Sequence, residues 1–161
     1  GGVASGGDGD DLLFGSDASS SFFDNQLNGD AGNDILTAGA VGSTMLGGSG
    51  ADWLVSSARD DQMDGGRDPD TGALDCDQDL FVYSGPGRWS EEDSPFGDTI
   101  SGFEDGSDLI DLRGSGLTFA DLVIVNEEFQ TTITSSRGTI TIFENFDEPV
   151  EITEADFLFG A

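Results

Sequence analysis

The chain has 161 residues with 33 acidic against 5 basic side chains, no Lys and no His, for a net charge of -28. Such a surplus repels the chain from itself unless cations neutralise it, and the scattered Arg residues disfavour nucleic acid as a partner, since phosphate binding needs clustered Lys and Arg. Without His or Lys there is no imidazole base, no His-bearing zinc site and no Schiff-base lysine, so catalysis would rest on carboxylates or hydroxyls alone.

The single cysteine, Cys76, excludes an internal disulfide, and no apolar run reaches the roughly 20 residues of a membrane helix. No basic-then-apolar leader opens the chain. Starting at Gly1, it reads as a piece of a longer protein, with any export signal elsewhere or at the C-terminus.

The first half is organised by a nine-residue repeat. GGDGDDLLF at Gly6 to Phe14, GDAGNDILT at Gly29 to Thr37 and GGSGADWLV at Gly47 to Val55 all fit G-[GD]-x-G-x-D-x-[apolar]-x. Steps of nine carry the Asp slot from Asp34 past Ser43 to Asp52, Asp61, Asp70 and Asp79, and the apolar slot from Leu36 to Met45, Leu54, Met63, Gly72 and Phe81. Between Asp11 and Asn25 the step is 14, so a five-residue insertion is expected near Gly15 to Phe23. A short period that keeps phase across weak copies predicts a solenoid in which each repeat buries its apolar residue on its neighbours. A disordered Gly/Asp linker would not keep an apolar residue at every ninth place.

This spelling resembles the RTX, or hemolysin-type calcium-binding, nonapeptide repeat. The resemblance implies an all-β fold, a parallel β-roll in which a six-residue turn and a three-residue strand alternate and residues 18 apart stack. It also implies calcium ions held between stacked turns: Gly gives the turn its backbone freedom, and Asp and the main-chain carbonyls give the six to eight hard oxygens calcium takes. Carried over by motif position, one edge holds three candidate sites. The first uses Asp11 and Asp34 with the carbonyls of Gly6, Asp8, Asp30 and Gly32. The second uses Asp34 and Asp52 with those of Gly29, Ala31, Gly48 and Gly50. The third pairs Asp52 with Asp70 through Gly47, Ser49, Gly66 and Asp68, where GGRDPD puts Asp68 in a glycine slot. The other edge reads Asn25, Ser43, Asp61 and Asp79 and lacks most of its carboxylates and glycines. It is expected to bind calcium weakly or not at all, except at the Asp61/Asp79 end, where Asp75 and Asp77 add charge.

Outward columns differ between the two strand sets. Leu12, Ile35 and Trp53, beside Phe14, Thr37 and Val55, predict a face packed against the C-terminal half or a neighbouring domain, with β-propensity alone as the other reading. Gln26, Thr44 and Gln62 predict a face open to water.

After Val82 the nine-residue phase stops, and Ser84 to Gly97 reads as a loop rich in Gly and Pro. Strands are expected at Asp98 to Phe103 and Asp108 to Leu112, and a hairpin at Phe129 to Thr134 and Thr139 to Phe143. Thr118 to Asp121 and Thr153 to Asp156 spell capping boxes that open helical turns. DTISGFEDGSDLIDL and the ending ITEADFLFGA resemble the C-terminal region of serralysin-type proteases and of other RTX proteins. Residues 1–83 are thus expected to form the roll, and residues 84–161 a β-rich cap. In that family the C-terminus carries an uncleaved type I secretion signal, for which Asp156 to Phe159 has the acidic-then-apolar pattern; a plain edge strand or helix is the other reading.

The resemblance implies a secreted, extracellular module with calcium, the type I secretion machinery and the N-terminal domains of a parent chain as partners. It would fold on calcium outside the cell. An adhesion module that binds polysaccharide through Trp53, Trp89 and Phe96 is the alternative. An enzyme ranks last: the serralysin His-Glu-x-x-His zinc motif is missing, and Asp68-Pro69 reads as a turn rather than a self-cleavage site.

Overall fold

The computed structural model describes residues 2–17, 25–57, 60–67, 74–83, 97–143 and 150–160. Its short strands alternate between two sheets. The first sheet contains β1 (Val3–Asp8), β3 (Asn25–Ala31), β5 (Ser43–Ser49), β7 (Gln62–Gly66), β9 (Asp98–Ser101), β11 (Val123–Asn126), β12 (Gln130–Ser135) and β13 (Gly138–Phe143). The second contains β2 (Leu12–Phe14), β4 (Ile35–Thr37), β6 (Trp53–Val55), β8 (Leu80–Val82), β10 (Leu109–Asp111) and β14 (Phe157–Leu158). The spatial orders are β1-β3-β5-β7-β9-β13-β12-β11 and β14-β10-β8-β6-β4-β2. Every pair is parallel except β11 with β12 and β12 with β13. The fold is all-β, a parallel β-roll.

The apolar slot makes the core. Leu27, Met45, Met63, Ile100 and Ile142 stack in register in the first sheet. Leu13, Leu36, Leu54, Phe81, Ile110 and Phe157 do so in the second. All eleven are buried. Each coil contributes only two such residues, so none has a core without its neighbours; burying one such side chain stabilises the fold by about 1.5–3 kcal/mol.

Three expectations are corrected. Asp79 and Phe81 do not follow Asp61 and Met63 in the stack: Leu54 pairs with Phe81 and Met63 with Ile100. The 27-residue step from Asp52 to Asp79 adds one repeat length between stacked positions, which moves Asp79 to the opposite edge. Asp68, Asp70 and Gly72 lie outside the described residues, and the places expected for Asp70 and Gly72 beside Asp52 and Leu54 are filled by Asp79 and Phe81. Second, the three-residue strand holds only in the second sheet up to β10, because β1, β3 and β5 run on through Asp8, Ala31 and Ser49 and pair across the turns. Third, Leu12, Phe14, Ile35 and Trp53 are exposed rather than covered by the C-terminal half. The later strands extend both sheets end to end instead of lying across the outer face. Of the column expected to face water, Gln26 and Gln62 are exposed and Thr44 is half-buried.

The hairpin of β12 and β13 forms with β11 as a third strand, and its inner residues Ile133 and Ile140 are fully buried. Both capping boxes close single 3-10 turns, Phe119–Asp121 and Glu154–Asp156. The second delivers Phe157 into the core against Phe119 and Phe159, with ring centroids 5.8 and 5.5 Å away.

Candidate metal centre

One edge of the roll carries a ladder of aspartates. The amide of Asp11 donates to Asp34 Oδ1 at 2.7 Å, that of Asp34 to Asp52 Oδ1 at 2.7 Å, that of Asp52 to Asp79 Oδ1 at 2.8 Å and that of Asp79 to Asp108 Oδ1 at 2.8 Å. In each case Asp follows the turn and stands two residues before the buried apolar slot, so the coil that seats the core residue also sets the carboxylate. One oxygen of each acceptor is used by the ladder. The second oxygens of Asp34 and Asp52 are buried with no hydrogen-bond partner among the described residues, although Asp34 and Asp52 are only 1% and 0% exposed. A buried orphan carboxylate oxygen is costly unless a proton or a cation meets it.

Around those oxygens the turns leave room that only glycine allows. A Cβ on Gly29 would collide with Asp34 Oδ2 and the Gly47 carbonyl, and one on Gly47 with Asp52 Oδ2 and the Gly65 carbonyl. At Gly6 the same added atom would lie 2.7 Å from Asp11 Oδ2 and 2.8 Å from the Gly29 carbonyl. Carboxylate and main-chain oxygens of successive turns thus converge on one small volume, three times over. That donor chemistry fits a hard divalent cation such as calcium, whose oxygens stand at about 2.3–2.6 Å. Among the described residues no three His, Cys, Asp or Glu side chains form a metal-holding group, so the cradle depends on carbonyls for much of its donor set.

Asp11, Asp34 and Asp52, expected in the first and second sites, stand along this edge beside Gly6, Gly29 and Gly47, the last of them expected in the third. Among the expected carbonyls, those of Ala31 and Ser49 accept from the Gly9 and Gly32 amides at 2.6 and 2.9 Å, and that of Gly48 from Arg67 at 3.1 Å. Those of Asp30 and Gly32 face the next turn, against Gly48 and Gly50. At the third site Asp79 stands where Asp70 was expected, with Gly65 beside it and Gly66 against the Gly48 carbonyl and Asp75. Asp75 joins it, accepting from the Gly50 amide at 3.3 Å. Asp108 extends the same edge by one more turn. The sequence does carry a signal for both, because Asp79-Leu80-Phe81 and Asp108-Leu109-Ile110 repeat the Asp-x-apolar spelling of Asp34-Ile35-Leu36.

The acidic ladder is electrostatically loaded. Burial first, and then the neighbouring carboxylates, push Asp52 up to about 7, Asp79 to about 8 and Asp108 to about 7. The same causes raise Asp34. Protons and cations compete for these oxygens.

The second edge is closed by protein hydrogen bonds. Here the stacked slots are Asn25, Ser43, Asp61 and Asp98: the Ser43 amide donates to Asp61 Oδ1 at 2.8 Å and the Asp61 amide to Asp98 Oδ1 at 2.7 Å. Asp61 Oδ2 accepts from the Ser57 amide at 2.7 Å and from Ser57 Oγ at 3.0 Å, while Ser56 Oγ donates to Asp98 Oδ2 at 2.9 Å. Hydroxyls occupy the volume that glycine leaves open on the first edge, so Asp61 has no orphan oxygen to offer.

A family model described as the peptidase M10 serralysin C terminal matches residues 3–157. No curated protein sequence matches the chain. Among solved structures, the AlgE6R2 subunit of the Azotobacter vinelandii mannuronan C5-epimerase is 21% identical over 96% of this chain and 91% of its own, with a TM-score of 0.39. The AlgE6R3 subunit of that enzyme is 22% identical over 95% and 80%, with a TM-score of 0.36. The extracellular lipase LipA from Serratia marcescens is 24% identical over 97% of this chain but only 20% of its own, with a TM-score of 0.30. With the family match running from β1 to β14 along both ladders, the chain belongs to the peptidase M10 serralysin C-terminal family.

Proposed function

We propose that this chain is a calcium-responsive folding module of a larger secreted bacterial protein. Without calcium the 33 carboxylates repel one another and the coils stay apart; with calcium, ions seated between successive turns bind Asp11, Asp34, Asp52 and Asp79 and draw the coils together. The observation that carries this reading is the pair of buried orphan oxygens, Asp34 Oδ2 and Asp52 Oδ2, each set beside a glycine whose side chain would fill the space. An ion bound only by the folded turns adds its binding free energy to folding, so the low calcium of the cytosol and the higher calcium outside would set where the roll forms. The chain then acts in type I secretion and folding of its parent rather than as an enzyme. Asp156 and Phe157 are buried in the folded chain, so a secretion signal there would be read before the roll closes.

The deciding experiment is far-UV circular dichroism of the chelated chain titrated with calcium, with magnesium as control. A disordered spectrum that turns β-rich in calcium alone supports the reading; a folded spectrum indifferent to calcium overturns it. A polysaccharide-binding role is the second reading, favoured by Trp53, which stands 50% exposed on the sheet face beside Ile35. A glycan array in calcium without binding would remove it.

A further inference from the structure

The second edge of the roll holds two buried acids that the metal cradles do not use. Asp61 and Asp98, 1% and 4% exposed, stand at the seam where β9 is laid against β7. The Asp61 amide donates to Asp98 Oδ1 at 2.7 Å, and the Thr99 amide donates to the Asp61 carbonyl at 2.9 Å. Ser56 and Ser57, just past β6, and Tyr83, just past β8, close over the pair, so strand ends of both sheets meet there. Among the described residues no cation pairs with either acid; Arg59 lies outside them. The titratable groups that act on Asp98 are Asp60, Asp61 and Tyr83, none of them basic.

Two negative charges at this seam would be short of hydrogens. Asp61 Oδ1 accepts from the Ser43 amide at 2.8 Å, and Oδ2 accepts from the Ser57 amide at 2.7 Å and Ser57 Oγ at 3.0 Å, so donors meet both of its oxygens. Asp98 has one main-chain donor, the Asp61 amide, and its Oδ2 stands 2.9 Å from Ser56 Oγ. Ser56 Oγ also lies 3.2 Å from Asp61 Oδ2 and 3.1 Å from the Ser57 carbonyl, three acceptors for a single hydroxyl hydrogen. A proton on Asp98 Oδ2 resolves the shortage: Asp98 donates to Ser56 Oγ, and Ser56 Oγ donates to Asp61 Oδ2. It also removes one of two like charges from a buried site. Burial first, and then the charge of Asp61, pushes Asp98 up to about 8, whereas the Ser57 and Ser43 amides offset burial at Asp61 and leave it at about 6. Burial first, and then the charges of Asp98 and Asp61, hold Tyr83 well above the usual phenol range, so it stays neutral.

We propose that the folded chain carries a proton on Asp98 and a charge on Asp61, and that this acid pair is a latch, which joins the repeat half to the C-terminal strands in acid and neutral medium and loosens in alkaline medium. Asp98 opens the first strand after the nine-residue phase has ended, and Asp61 stands just before the last repeat strand of the same sheet, so the latch fixes one half to the other. A folded value raised above 3.8 contributes stability that is full at low pH and is lost as pH rises through about 8. The two acids differ in what they tolerate. Asp98→Asn keeps an oxygen for the Asp61 amide and presents an N–H to Ser56 Oγ, which copies the protonated acid. Asp61→Asn turns its N–H groups against the amide of Ser43 or of Ser57, because both oxygens already accept from the main chain. The latch needs no metal and stands apart from the calcium reading.

The test uses the full chain in saturating calcium, melted at about pH 6 and about pH 9 and followed by circular dichroism. Asp98→Asn should match the unaltered chain within about 1 °C at the lower pH and exceed it by about 3–5 °C at the higher, while Asp61→Asn should melt at least about 5 °C below it at both. Because Asp61→Asn could fold poorly, carbon-13 NMR of the side-chain carboxyls in the unaltered chain supplies a second readout: Asp98 should lose its proton near pH 8, after Asp61 has lost its own near pH 6. An Asp98 carboxyl already ionised at about pH 6, or an Asp98→Asn variant as destabilised there as Asp61→Asn, overturns the latch and leaves the calcium reading intact. A chain that folds without calcium overturns the calcium reading instead, and the same melts in chelator then judge the latch alone.

Discussion

Within the aspartate ladder the residues are not equal. Asp34 accepts from Asp11, donates to Asp52 Oδ1 and lies between two cradles, whereas Asp11 is the first rung and only part-buried. Removing Asp34 takes a carboxylate from two proposed sites at once. Asp34→Ala should therefore raise the calcium concentration at the folding midpoint by about a hundredfold and Asp11→Ala by about tenfold, taking roughly 1.5–3 kcal/mol per lost charged contact. Equal midpoints in circular dichroism titrations would refute shared ligation. The same assay separates the edges: Asp79→Ala should act on the calcium midpoint like Asp52→Ala, because both belong to one ladder.

Protonation gives a second test with a definite sign. The folded, metal-free chain holds protons on Asp52 and Asp108 to about 7 and on Asp79 to about 8, against 3.8 for an ordinary Asp. A raised folded value means the folded state binds more protons between those limits, so this stabilisation is complete below about 3.8 and is lost as pH rises through about 7 to 8. In chelator, whatever β-structure the chain regains should be greater at pH 5.5 than at pH 8.5, because protons then stand in on the ladder. Calcium must displace those protons, so the midpoint calcium concentration should fall as pH is raised from 6 to 8. A chelated chain with more β-structure at pH 8.5 than at pH 5.5, together with a calcium midpoint flat in pH, would contradict the buried-ladder account.

For the strands, what the sequence made legible is what a local period can encode. Every Asp-x-apolar triplet from Asp11 to Asp61 falls where the spelling puts it, since a nine-residue half-coil fixes both the carboxylate and the core residue. The partners of the triplets past Met63 were not legible. A longer connection costs little in loop-closure entropy, so Phe81 can stack 27 residues after Leu54 as well as a residue 18 away could. The five-residue insertion before Asn25 was readable for the opposite reason, because intact copies flank it and Leu13 still pairs with Leu36. Outward and inward positions then predict opposite mutational costs. Leu54→Ala empties a fully buried slot and should cost roughly 2–5 kcal/mol, while Leu12→Ala, 58% exposed at an edge, should stay within about 0.5 kcal/mol. Thermal melts in saturating calcium would show the contrast as a fall of about 5–15 °C against almost none.

At the scale of the whole molecule, two explanations of a calcium requirement compete. One is general: a net charge of -28 is repulsive, and any cation that screens it would allow the coils to close. The other is local: the buried oxygens of Asp34 and Asp52 need a ligand of the right size at two fixed places, which screening cannot supply. The magnitudes separate them. At 1 M monovalent salt the Debye length is about 3 Å, so surface repulsion is nearly abolished, yet a buried carboxylate oxygen stays as unpaired as before. If the cradles decide, the chelated chain in 1 M potassium chloride contracts but gains no β-structure, and near-millimolar calcium then brings it to a compact radius of gyration of about 15–20 Å, from about 40 Å for an unfolded chain of this length. Small-angle scattering and circular dichroism on the same samples would read both changes. A β-rich, compact chain in potassium chloride alone would assign the effect to charge screening and leave the glycine cradles without a role.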